Sequence, residues 1–129
     1  MKKSFFLLLF SLILLSGCAE DNRFDFAGKN ENWNVFYIVN VSNGDTQDAN
    51  GTIKYVGEGQ APEKINYTIK TLSGSSEGTG ILLEEGVANA GRSSCEGCAI
   101  IQKDEEIEVE ITWNGQSEKL VLINKALSN

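Results

Sequence analysis

Three cysteines and not one histidine bound the chemistry open to this 129-residue chain. Two of the thiols, Cys95 and Cys98, flank Glu96-Gly97. That spacing serves a short disulfide, a thiol–disulfide exchange centre or half of a zinc site. Zinc fails on ligand count, because there is no histidine and the one other cysteine, Cys18, belongs to an N-terminal pattern of its own. A redox centre would draw on Arg92 to lower a thiol pKa. Its usual setting, a helix start within a βαβ unit, is missing, since the flanks read as strand and turn. A loop-shaping disulfide is the reading preferred, with Glu96-Gly97 as the turn that brings the two Cα atoms within reach.

Without histidine there is no Ser-His-Asp or Cys-His triad, and the commonest metal ligand is absent. Serines and carboxylates recur, but in no recognisable catalytic frame, so the chain is expected not to be an enzyme and to need no cofactor. "KDEEIEVE" places Glu106, Glu108 and Glu110 on the strand face opposite Ile107, Val109 and Ile111. This is a solvated face that discourages edge pairing, more readily than a cation patch. "SNGDTQDANG" (42–51) offers Asp45 and Asp48 but departs from the calcium-loop pattern, and reads as a long polar loop. "SGSSEGTG" (73–80) lacks the lysine of a phosphate-binding loop and reads as a flexible one.

The third cysteine closes a different pattern. Lys2 and Lys3 precede an apolar run from Phe5 to Leu15, then small residues, the layout of a secretory signal. Those eleven residues cover ~17 Å as a helix, short of a ~30 Å hydrocarbon core. Leu15-Ser16-Gly17-Cys18 resembles the lipobox of bacterial lipoproteins. The resemblance implies a diacylglyceryl thioether on Cys18, cleavage between Gly17 and Cys18, and fatty chains that hold the mature protein on the cell membrane, facing the extracytoplasmic side. Two acyl chains hold stably where one holds marginally. Losing residues 1–17 removes Lys2 and Lys3 and no acid, leaving nine basic against eighteen acidic residues, about −9. Phosphate contacts need clustered Lys and Arg, so nucleic acid is not a partner, and docking of the body onto anionic lipid is disfavoured.

After Cys18, residues 19–31 are charged and weakly periodic and read as a tether, with Phe24 and Phe26 as the objection. From Asn32 to Asn129 the chain breaks into short alternating stretches parted by Gly, Asn and Ser, with no convincing helix. Candidate strands are 32–41, 52–56, 64–72, 79–85, 98–103, 106–113 and 118–124. The first puts Trp33, Val35, Tyr37, Val39 and Val41 on one face and leaves Phe36 and Ile38 on the other. The last two form a hairpin about Asn114-Gly115, in register so that Val109 faces Leu120, Ile107 faces Leu122 and Glu110 meets Lys119. A four-residue loop keeps the same parity. Trp33 and Trp113 both fall on apolar faces and are expected in the core.

About seven strands joined by turns in about 100 residues predict a single immunoglobulin-like antiparallel β-sandwich over 32–129, with a small β-barrel as the alternative. Four stretches carry a further resemblance: Glu31-Asn32-Trp33, Gly51 to Tyr55, Ser94 to Ala99, and Ile111 to Gly115. On them the chain is similar to small Gram-positive (Firmicutes-type) cell-surface lipoproteins. The resemblance implies an anchored β-domain and brings no catalytic residues. The expected function is a non-enzymatic binding or interaction module of the cell envelope, with an envelope protein or polymer as partner. Thiol–disulfide exchange at Cys95 and Cys98, or a passive accessory role in a surface complex, are the alternatives.

Overall fold

A computed structural model describes residues 22–127. The signal, the lipobox and Cys18 lie outside the described residues. The chain is all-β: strands β1 (Asn22–Lys29), β2 (Trp33–Ser42), β3 (Thr46–Tyr55), β4 (Lys64–Thr71), β5 (Gly74–Leu82), β6 (Val87–Glu96), β7 (Ile107–Trp113) and β8 (Gln116–Asn124), then a 3₁₀ turn at Lys125–Leu127. They form one eight-stranded sheet in the order β5-β4-β7-β8-β1-β2-β3-β6. All pairings are antiparallel. The sheet wraps nearly into a barrel, and its one open seam lies between β5 and β6.

The span expected as a tether is mostly β1. Phe24 and Phe26 alternate with charged residues, and Phe26 is wholly buried, so the strand carries the period-2 signal of a half-buried strand beneath its charges. It pairs with β2 from Asn22↔Val41 to Lys29↔Asn34 and joins β8 at Phe26↔Asn124 and Ala27↔Ile123. A strand that closes the sheet on both sides is part of the domain, which therefore takes in residues 22–31 and does not start at 32.

In β2, Trp33, Val35, Tyr37, Val39 and Val41 all point into the core. The β7–β8 hairpin has the expected register, Val109↔Leu120, Ile107↔Leu122 and Glu110↔Lys119, about a two-residue turn. Asn114 and Gly115 take φ of 46° and 76°, as a type I′ turn requires. On the outer face of β2, Lys125 Nζ sits 4.8 Å above the Phe36 ring, so the C-terminal turn partly covers that side.

One end of the barrel is closed by rings. Trp33 meets Tyr55 and Trp113 edge to face, with centroids 5.2 and 5.1 Å apart. Asn30 sets the entry into β2: its Oδ1 accepts from the Asn32 and Trp33 amides, while its Nδ2 donates to Glu118 on β8. Asn32 Nδ2 donates to the other Glu118 oxygen at 2.6 Å. The Glu-Asn-Trp stretch thus ties the β1–β2 turn to β8 and aims Trp33 inward.

The opposite end carries four departures from the sequence reading. Residues 98–103 form no strand. They fold back across the barrel end and bury Ile101, whose amide donates to Gln47 Oε1 at 2.7 Å. The supposed polar loop 42–51 is a tight turn at Asn43-Gly44 followed by the first half of β3. The supposed flexible loop 73–80 lies almost wholly in β5, and 87–96 is a strand the alternation did not disclose.

Candidate functional site

The polar end holds a hollow of about 180 Å³ at the mouth of the β5–β6 seam. Its floor is the Tyr37 ring, Ile69 and Ile101, its walls are the hydroxyls of Thr71, Ser73, Ser75, Ser76 and Ser93, and Cys95 and Cys98 form the rim. Each strand supplies inward residues at alternate positions: Gln47 from β3, Ile69 from β4, Ser76 from β5, and Ser93 and Cys95 from β6.

The seam stays open for local reasons. The β3–β6 ladder shifts register between Ala49 and Gly51, opposite Gly91 with φ +64°. The β4–β5 ladder shifts between Ile65 and Tyr67, near Gly80 with φ +64°. Bulges bend a strand and interrupt its edge, so neither strand offers the other a long straight ladder. Where they part, the Tyr67 hydroxyl crosses from β4 and accepts the Gly91 N–H at 2.9 Å.

Cys95 and Cys98 sit at disulfide distance, with Cα atoms 6.0 Å apart. Cys95 closes β6 and Cys98 opens the segment that caps the barrel end. The pair is flanked by a strand end and a turn at Gly97, so no helix N-terminus bears on either sulfur.

Two polar side chains that the sequence did not mark are buried here. Glu105 stands in the acidic run, yet is 6% exposed. It accepts from the Leu72 amide at 3.0 Å and the Gln102 amide at 3.4 Å, pinning the cap to the β4–β5 turn. Gln47, also 6% exposed, uses its oxygen on Ile101. Its amide nitrogen makes no hydrogen bond to the described residues and is reached by solvent, and the residue lines the hollow. Burial raises the Tyr37 pKa above the ordinary phenol value; the Ser93 hydroxyl bond opposes the rise, and the Glu105 carboxylate adds to it.

Two other hollows lie on the outer surface. One, of about 270 Å³, lies over β4, β7 and β8 among Lys70, Glu108, Glu110 and Lys119. Its charges face one another: Lys70 is the register partner of Glu108, and Lys119 lies 3.8 Å from Glu110. The other, about 770 Å³, is a broad depression over Asn40, Asp48 and Arg92. In neither does a buried polar group point inward, which sets the mouth of the seam apart. Asp45 and Asp48 bracket the start of β3, and no group of three or more His, Cys, Asp or Glu gathers as a metal site among the described residues.

One cross-sheet row orients the molecule. Asn22 pairs with Val41, Val41 with Gln47, and Gln47 with Cys95. At ~4.8 Å per strand, the start of β1 lies about 14 Å from the rim of the hollow, on the same end of the barrel. Comparison with protein-family models, with curated proteins and with solved structures finds no match.

Proposed function

We propose that the protein is a lipid-anchored, extracytoplasmic, non-enzymatic binding module of the cell envelope, held by acylated Cys18 and taking its ligand at the mouth of the β5–β6 seam. The observation that carries the binding reading is Gln47: a largely buried residue that lines the hollow and whose amide N–H groups make no hydrogen bond to the described residues. Solvent reaches that nitrogen, so a ligand acceptor would take the place of water there. The anchor rests on the lipobox resemblance at Leu15 to Cys18. With β1 beginning at Asn22, only residues 18–21 separate anchor and domain, a reach of at most ~14 Å. With Cys18 acylated, the row from Asn22 to Cys95 would put the hollow on the membrane-proximal end.

Cell fractionation with mass spectrometry tests the anchor. The wild type should be membrane-bound, start at Cys18 and carry two ester-linked chains beside the thioether, whereas Cys18→Ala should be released. Retention of C18A at unchanged mass would reject it. For the hollow, Ser93→Trp should abolish retention of an envelope fraction that the wild type holds; equal retention would reject the site. The rival, thiol–disulfide exchange at Cys95 and Cys98, draws on their place at an accessible rim. A reduction potential below about −300 mV would count against it.

A further inference from the structure

Charge, size and donor pattern in the hollow together narrow what it accepts. We infer that the mouth of the β5–β6 seam takes an uncharged sugar bearing an N-acetyl group, as one residue of a linear glycan. This deepens the binding reading above and rests on it.

Charge comes first. No Lys, Arg, Asp or Glu lines the hollow, so a phosphate or carboxylate finds no cation there. The nearest acid, Glu105, commits its two oxygens to the Leu72 and Gln102 amides and is not free to pair with an ammonium group. A chain with net charge −7 that leaves one buried mouth uncharged has a site for a neutral ligand.

Size comes next. The 180 Å³ hollow is smaller than the about 300–1,000 Å³ of drug-sized sites. It matches about six waters at ~30 Å³ each, the scale of one sugar ring. A second hollow, lined by Tyr67, Glu77, Asn89 and Arg92, continues along the seam and shares Ser76 with the first. A ring in the mouth can therefore extend as a chain along a polar cleft.

The donor pattern selects the substituent. Gln47 offers N–H groups that make no bond to the described residues, and Ile69 and Ile101, each 1% exposed, line the same hollow. An acetamido group answers both, with a carbonyl for the amide and a methyl for the isoleucines. The serine and threonine hydroxyls both donate and accept, which suits ring hydroxyls. An extended peptide would add along a strand edge, but the bulges at Gly91 and near Gly80 interrupt both edges of this seam.

The test titrates the full mature protein in detergent micelles, by calorimetry, with the β-1,4 tetramer of N-acetylglucosamine. The same-linked glucose tetramer, an uncharged acetyl-capped tetrapeptide amide and inorganic phosphate serve as comparison probes. The N-acetylated tetramer should bind about tenfold tighter than the glucose tetramer, the scale of one hydrogen bond with its methyl contact. Gln47→Glu keeps the oxygen that holds Ile101 but loses the amide donors, so it should erase that preference while the fold, read by near-ultraviolet circular dichroism, is retained. Should Q47E fail to fold, Ser76→Trp, which fills the shared wall, must block the sugar instead. Equal affinity for the two tetramers, or binding of only the peptide or phosphate, would overturn the N-acetyl assignment and leave the site standing. If no probe binds and the wild type still retains an envelope fraction lost in Ser93→Trp, the sugar class falls alone. If neither is seen, both readings fall.

Discussion

Replacing Gly91 by alanine tests the claim that the seam is built, not incidental. Gly91 lies at the register shift in β6 with φ +64°, a left-handed conformation that costs an L-residue about 1–2 kcal/mol. A Cβ there would also lie 2.7 Å from Ile69 Cδ1 and 3.2 Å from Tyr37 Cε2. Ile69 is 1% exposed, so its methyl has little room to retreat, and overpacking of this kind costs about 1–3 kcal/mol. The two effects together predict a loss of about 2–5 kcal/mol.

Gly80 supplies the control. It also has φ +64° beside a register shift, in the strand across the seam, but a Cβ there meets nothing within 4 Å. Gly80→Ala should lose only the conformational part, about 1–2 kcal/mol. Urea unfolding of both variants with matched m-values isolates the packing difference. Adding Ile69→Val removes the clashing methyl. That change alone costs about 0.5–1.5 kcal/mol, and in the G91A background it should cost less or restore stability, a coupling a double-mutant cycle reads directly. Equal losses in G91A and G80A, with no coupling to position 69, would refute the close packing of β6 against β4 at the seam.

Three further outcomes follow from the polar end. Glu105→Ala leaves the Leu72 and Gln102 amides without their acceptor and should cost about 1–3 kcal/mol, with faster hydrogen exchange at those two amides; Glu105→Gln, which keeps an acceptor oxygen, should lose less. Opening the Cys95–Cys98 bridge by Cys→Ser at both positions removes a loop of about four residues, worth ~2 kcal/mol on the chain-entropy model, so thermal unfolding should shift while the β-sheet circular dichroism persists. Because burial holds the Tyr37 pKa above 10.0, the unfolded chain gives up that proton first as pH rises. The stability is fully present below about pH 10 and is lost as pH climbs through the folded pKa. Unfolding curves of Tyr37→Phe should lack that part of the alkaline slope.

Where side chains alternate between core and water, the sequence was legible. In β2 the five inward residues are large, and in β7 and β8 a turn that demands positive φ, two apolar pairs and one opposite-charge pair all agree on one register. β1 carried the same signal in Phe24 and Phe26, but Arg23, Asp25 and Lys29 gave it the composition of a tether. β5 and β6 carried almost none. Inward positions of β5 are Gly74, Ser76 and Gly78, because the Tyr67 ring and the hollow occupy the space that large side chains would fill. β6 turns Ala88, Ala90 and Ser93 inward for the same want of room. Ala99-Ile100-Ile101 read as a strand from its apolar run, although burial there comes from capping the barrel end. Gln47 gave no sign at all, since its partner Ile101 stands 54 residues away.

The misread segments are also the segments that build the candidate site. β5, β6 and the cap over 97–106 supply every hydroxyl wall except Thr71 and Ser73, along with the sulfur rim and the Ile101 floor. Small and polar residues at inward positions weaken the pattern that specifies a strand and leave the sheet unclosed, and natural sequences accept such conflicts mainly where function requires them. The opposite end makes the comparison: three packed rings close it, and its buried Trp33 Nε1, without a hydrogen-bond partner, lines none of the hollows described above. Had the seam been a folding defect alone, the simplest repair would be a large apolar residue at Gly78 or Ser76 and a straight β6. The chain instead keeps Gly91 in its left-handed turn, bridges the gap with the Tyr67 hydroxyl, and places a buried amide behind it. Together these features hold the mouth open, and a ligand that accepts from Gln47 would use donors that make no bond to the described residues.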